Sequence, residues 1–193
     1  MKKRLFLPLL LAGMWATPAF ATPYVSVSAG LGLLGDSTVK TAGLTIDNAF
    51  GYKAGVPVGV AVGFKADEFR LEGAVGYQSH TIDEVGAGDI SIWSFMGNGY
   101  YDISMADSSV TPYLTAGLGF ASISASNGGL DATEFAWQLG AGVGFKASEN
   151  VVVDLGYRYF RTSDVHVADY GLGIPADISI AGSNILAGIR YSF

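Results

Sequence analysis

Asn184-Ile185-Leu186-Ala187-Gly188-Ile189-Arg190-Tyr191-Ser192-Phe193 decides the fold. Its odd positions, Ile185, Ala187, Ile189, Tyr191 and Phe193, are apolar or aromatic, while Asn184, Leu186, Gly188, Arg190 and Ser192 make the other face, small or polar but for Leu186. A helix repeats near every 3.6 residues, whereas a strand sends successive side chains to opposite faces, so this stretch reads as a β-strand with one apolar face.

The same period runs back through the chain. Val151, Val153, Leu155, Tyr157 and Tyr159 oppose Asp154, Gly156 and Arg158. Phe135 to Phe145 alternates with Ala136, Gln138, Gly140, Gly142, Gly144 and Lys146, and Leu114, Ala116, Leu118 and Phe120 alternate with Tyr113, Thr115, Gly117 and Gly119. Phe69, Leu71, Gly73, Val75 and Tyr77 oppose Arg70, Glu72, Ala74, Gly76 and Gln78. Three further strands are expected at Val25 to Leu33, Val56 to Phe64 and Ser91 to Ile103; the last is apolar on both faces near its start. Pro57 has no N–H to give a ladder, which predicts a local bulge there. The expectation is eight strands.

Half of the 193 residues are hydrophobic and 27 are glycine, yet beyond the N-terminus no apolar run is long enough for a membrane helix. Hydrophobicity dispersed by alternation is what a closed barrel in lipid needs, because every second residue meets hydrocarbon and no strand edge is left unpaired. At the N-terminus, Lys2, Lys3 and Arg4 precede an apolar run from Leu5 to Ala16 and then Ala19-Phe20-Ala21. That pattern predicts a cleaved signal peptide over residues 1–21 and a mature barrel domain over residues 22–193. Cleavage leaves eight basic against 17 acidic residues, which argues against nucleic acid as a partner. The absence of cysteine leaves stability to the backbone ladder and packing.

Connections alternate in length, with short links at 65–68, 104–109 and 147–150 and longer ones at 35–50, 81–88, 126–133 and 163–181. Short periplasmic turns and longer outer loops are the pattern of outer-membrane barrels, which places both termini on the periplasmic side. Phe69, Tyr101, Phe145, Tyr191 and Phe193 fall near the short turns, and Tyr77, Trp93, Trp137 and Tyr159 near the long loops, predicting two interfacial girdles.

Pro112-Tyr113 followed by Ala116-Gly117-Leu118-Gly119-Phe120, with Asn98-Gly99-Tyr100-Tyr101-Asp102, Leu155-Gly156-Tyr157-Arg158-Tyr159 and the ending Ala187 to Phe193, resembles the opacity-type and OmpA-type outer-membrane barrels. The resemblance covers essentially the whole mature chain. It implies an all-β, eight-stranded antiparallel up-and-down transmembrane barrel in the bacterial outer membrane, surrounded by its lipid and lipopolysaccharide. It also implies insertion by the barrel-assembly machinery, with Tyr191 and Phe193 of the last strand as the assembly signal, and loops open to an extracellular ligand. The peptidoglycan-binding domain of longer relatives is not expected, since the sequence stops at the end of the barrel. Relatives share the barrel and differ in their loops, so fold alone does not give function.

Eight strands enclose an interior that side chains can fill. The expected inward polar residues are Lys53, Arg70, Glu72, Gln78, Asn98, Asp102, Gln138, Asp154, Arg158, Asn184 and Arg190. Among them Arg70, Glu72, Asp102, Asp154, Arg158 and Arg190 are expected to form a structural polar network, with Asp154 and Glu72 as counter-charges for the arginines. The resulting expectation is a non-enzymatic surface protein with a structural or adhesion role, with a narrow small-solute or ion channel as the alternative.

An enzyme would need a nucleophile, a base and an orienting group. The two histidines, His80 and His166, show no such spacing and are expected to be exposed loop residues. The acidic loop residues Asp36, Asp47, Asp83, Glu84, Asp89, Asp131, Asp164, Asp169 and Asp177 match no defined cation-binding motif. No catalytic, cofactor or metal residue is therefore assigned. A soluble ligand-carrying barrel would turn the apolar face inwards; the inward glycines, the two aromatic tiers and Phe193 argue against it.

Overall fold

The computed structural model describes residues 21–35, 38–41, 44–46, 54–81, 89–106, 108–125, 131–163, 165–167 and 176–193. The expected signal peptide and Lys53 lie outside them. Eight long strands form the wall: β1 (Thr22–Leu34), β4 (Val58–Ala66), β5 (Phe69–Thr81), β6 (Asp89–Asp102), β7 (Val110–Ala125), β8 (Asp131–Lys146), β9 (Val151–Thr162) and β12 (Ala181–Ser192). Each pairs antiparallel with its neighbours in chain order, and β1 pairs with β12 to close the barrel. Closure leaves no edge to satisfy in hydrocarbon.

The registers fix the shape of the wall. Following paired residues once around from Tyr24 through Gly63, Glu72, Asn98, Gly117, Gln138, Phe160 and Gly182 returns to β1 at Leu34, ten residues further on. A stagger of this size goes with strands tilted by about 35–45° to the barrel axis. Residues paired across the sheet are therefore at different heights, and luminal contacts are made along the tilt.

The alternation resolves into an apolar outside and a mixed inside. Val25, Val27, Leu31, Leu71, Leu118, Leu139, Leu155, Ile185 and Ile189 are exposed, while Arg70, Glu72, Asn98, Asp102, Gln138 and Arg190 are buried. Outside, rings meet in two tiers. Near the turns Phe69 contacts Tyr101 and Tyr191 contacts Phe193, each at 5.3 Å. Towards the loops Tyr77 contacts Trp93 at 4.9 Å and Trp137 contacts Tyr159 at 5.7 Å. Leu155 lies on the outer face between these tiers, so Leu155→Arg is expected to lower the unfolding free energy by roughly 2–4 kcal/mol. Urea titration of the protein in lipid vesicles measures it, and a neutral substitution would mean that this face does not meet hydrocarbon.

One expectation fails at Pro57. The pairing of Ala29 with Val58 and of Gly32 with Gly55 belongs to one unbroken register, so no residue is inserted and there is no bulge. The Pro57 carbonyl still accepts from the Gly30 N–H at 3.0 Å; only the rung needing a proline N–H is omitted. At the turn end, β4 and β5 are joined by Asp67 and Glu68, with Asp67 at φ 51°, a left-handed conformation that Asp tolerates in tight hairpins.

At the loop end, the segments expected as long connections contain short strands. β2 (Thr38–Thr41), β3 (Leu44–Ile46), β10 (Val165–Val167) and β11 (Ala176–Ser179) form a second antiparallel sheet in the order β10-β11-β2-β3. The connection after β1 thus pairs with the one after β9, although neither carries a long alternating run.

Candidate functional site

The lumen collects the inward residues of all eight strands, and glycines give them room. A β-carbon at Gly63 would come within 2.5 Å of the Tyr24 ring, and one at Gly142 within 2.5 Å of the Tyr113 ring, so each ring lies over its glycine partner on the adjacent strand only because that position is bare. Inward glycine here serves close approach of side chains.

The end near the short turns holds a polar tier. Arg70 Nε donates to Asp102 Oδ1 at 2.9 Å, Arg70 Nη2 lies 2.8 Å from the same oxygen, and Lys65 Nζ reaches Asp102 Oδ2 at 2.5 Å. The Arg70 guanidinium also stacks over the rings of Tyr100 and Tyr113, at 4.2 and 4.9 Å. Such stacking suits a planar, weakly hydrated cation. On the other side, Arg190 Nη2 lies 3.4 Å from Asp154 Oδ1.

Glu72 is handled differently. Tyr24 Oη donates to its Oε2 at 3.2 Å, while Asn98 Nδ2 and Tyr100 Oη donate to Oε1 at 3.2 and 3.0 Å. Gln138 Nε2 donates to Asn98 Oδ1, and Arg158 Nη2 donates to Tyr100 Oη at 3.3 Å. Sequence reading treated Glu72 and Asp154 as the counter-charges for the arginines. Asp154 is next to Arg190, but Arg70 is held by Asp102, and Glu72 meets Arg158 only through the Tyr100 hydroxyl. The tyrosines were the residues missed. Their signal was present, since Tyr24, Tyr100 and Tyr113 occupy inward parity positions where aromatics are unneeded for lipid contact.

The end near the long loops is closed by a different chemistry. Ile90, Ile92, Met96, Ala121, Ile123, Ala136, Phe160 and Ile180 form one buried apolar cluster. This explains why the start of β6 reads as apolar on both faces: Ile90, Ile92 and Met96 point into the barrel. His80 corrects an expectation. It is not exposed in a loop but 1% accessible within β5, paired across to Ile90. A β-carbon at Gly55 would come within 2.7 Å of its Nδ1, and one at Gly32 within 3.4 Å of its Cε1, so two bare backbone positions accommodate the imidazole. The side chains of His166, Asp131 and Asp177, and the residues Asp36, Asp47, Asp83, Glu84, Asp164 and Asp169, lie outside what is described.

Between the tiers is a cavity of about 120 Å³, whose wall includes Arg70, Glu72, Thr115, Asp154, Arg158 and Arg190. Among the described residues no group of three or more His, Cys, Asp or Glu is placed to hold a metal ion.

A closed eight-stranded wall with an apolar exterior, two aromatic tiers and charged and polar groups held inside defines a transmembrane β-barrel. The chain belongs to the outer membrane protein beta-barrel domain family, whose model matches residues 7–193, and it is a protein of the bacterial outer membrane. It is similar to the outer membrane protein PagN of Salmonella typhimurium, 29% identical over 122 residues; that match spans 54% of this chain and about half (51%) of PagN. An uncharacterized protein of Brucella abortus is 27% identical over 210 residues, covering 77% of this chain and 74% of the relative. Among solved structures, Neisserial surface protein A matches with a TM-score of 0.61 at 22% identity, covering 90% of this chain and 99% of that one, a likeness of fold.

Proposed function

We propose that this protein is a non-enzymatic scaffold of the outer membrane, closed along its axis, whose working surface is the rim of long connections and whose role is structural or adhesive. The observation that carries the reading is the lumen. It is filled at one end by ion pairs and tyrosines and at the other by an apolar cluster, so the chemistry available to a partner is on the loops. His80, buried against backbone, offers no ring atom to a substrate. The cavity between the tiers supports the second reading, a narrow channel, which would require both tiers to open.

The adhesive role is tested by replacing segments 36–53 and 164–175 with short turns in cells that display the protein. Attachment of those cells to epithelial monolayers is expected to fall while the amount of barrel in the outer membrane is unchanged. Equal attachment would leave the structural role alone.

Membrane assembly is part of the same reading, with Tyr191 and Phe193 as the signal for the assembly machinery and residues 1–21 as the export signal. Phe193 is 69% exposed and its ring meets that of Tyr191, so Phe193→Ala costs the folded barrel little packing. The expected outcome is a several-fold loss of protein from the outer-membrane fraction, with an unfolding midpoint of the purified, refolded variant close to that of the original. A normal outer-membrane level would remove Phe193 from the signal.

A further inference from the structure

The cavity between the tiers has an unbalanced wall. Arg70, Arg158 and Arg190 line it against Glu72 and Asp154. Arg190 is beside Asp154, and Arg70 is engaged by Asp102, a carboxylate that it shares with Lys65. Glu72 is occupied by three uncharged donors. Arg158 has no carboxylate within ion-pair distance among the described residues, and its one side-chain hydrogen bond there goes to the Tyr100 hydroxyl.

The wall also holds donors without acceptors. Arg190 Nε and Thr115 Oγ1 are buried without a hydrogen-bond partner, on residues 6% and 7% exposed, and both residues line the cavity. Thr115 and Arg158 flank Gly140, which pairs with each of them across the sheet; a β-carbon at Gly140 would meet Thr115 Cγ2 at 2.9 Å. The hydroxyl and the guanidinium thus belong to neighbouring positions on one wall. Buried groups of this kind demand a partner, and the half-buried Arg158, with no carboxylate beside it, favours a negative one.

We propose that the luminal cavity is a binding site for a small inorganic anion of chloride or bromide size, held by Arg158 with Thr115 and the free edge of Arg190. A single negative charge matches the excess of the wall. Size matches too, because about 120 Å³ is several times the roughly 10–15 Å³ that one water needs on the same measure, enough for a halide and part of its hydration shell.

The test is equilibrium unfolding of the refolded protein in uncharged phospholipid vesicles, at fixed ionic strength, with sodium chloride or bromide exchanged stepwise for sodium gluconate. A ligand that binds only the folded state raises stability with the logarithm of its concentration once the site fills. The unfolding midpoint is expected to rise with halide in the original protein and in Arg161→Gln, which removes an equal charge from the outer face. It is expected to stay flat in Arg158→Met. Crystals grown in bromide should show anomalous density in the cavity beside Arg158, and this readout stands even where Arg158→Met does not fold. Equal midpoints in halide and gluconate, the same halide dependence in Arg158→Met, or a bromide-free cavity holding water alone would overturn the proposal.

Discussion

Asp102→Asn is expected to lower the unfolding free energy by about 3–5 kcal/mol, the cost of leaving a buried charge without its partner. The carboxylate is 1% exposed and is gripped by two cations, but they do not contribute alike. The Lys65 side chain is 40% exposed, so water takes over much of its compensation when Asp102 is neutralised. The Arg70 side chain is 3% exposed and is stacked against Tyr100 and Tyr113, with no second carboxylate within ion-pair distance among the described residues. The loss therefore falls on Arg70. Urea unfolding in vesicles reads the change, and the double variant Asp102→Asn/Arg70→Met separates the pair: it should be more stable than Asp102→Asn alone. A double variant worse than the single would show that the pair is not what the carboxylate stabilises.

Glu72→Ala is expected to cost a similar amount by a different route. Its two oxygens accept from Tyr24, Asn98 and Tyr100, and each buried donor left without an acceptor costs about 1–3 kcal/mol, less where a side chain turns to another partner. With some relief for Asn98, which is also joined to Gln138, about 3–5 kcal/mol remains. Glu72→Gln keeps one acceptor and the shape but removes the charge that Arg158 feels through Tyr100, so it should fall between the original and Glu72→Ala. The same unfolding titration orders the three proteins. If Glu72→Gln and Glu72→Ala were equally mild, the tyrosines would be hydrated and the polar tier would not be a closed structure.

The wall of this barrel was legible in its sequence because lipid imposes one requirement on every strand: alternate residues must be apolar. β9 and β12 obey it along the membrane-facing span, and depart from it only at their loop ends, at Arg161 and Ser183. β6 was ambiguous for a reason inside the protein, since Ile90, Ile92 and Met96 face a dry luminal cluster and erase the contrast between faces. The luminal residues themselves were identified by parity, but their partners were not. Arg70 finds Asp102 only through the register that sets Arg70 opposite Tyr100 and the tilt that follows from the stagger. Tyr24 meets Glu72 across 48 residues of sequence. His80 was misread because a polar residue beside a long connection usually faces water; it is buried because Gly32 and Gly55, distant in sequence, leave space for its ring. Pro57 misled in the opposite direction, since a missing donor does not require an extra residue when the carbonyl still pairs.

If the barrel is closed along its axis and serves through its loops, as proposed, its lumen passes no ions. Planar-bilayer recording on the refolded protein tests this most directly. No discrete conductance steps are expected from the original protein, and steps are expected when the luminal polar tier is broken by Asp102→Asn/Arg70→Met together with the apolar tier by Phe160→Ala. Steady ohmic conductance from the unaltered protein would contradict it and establish the channel in its place.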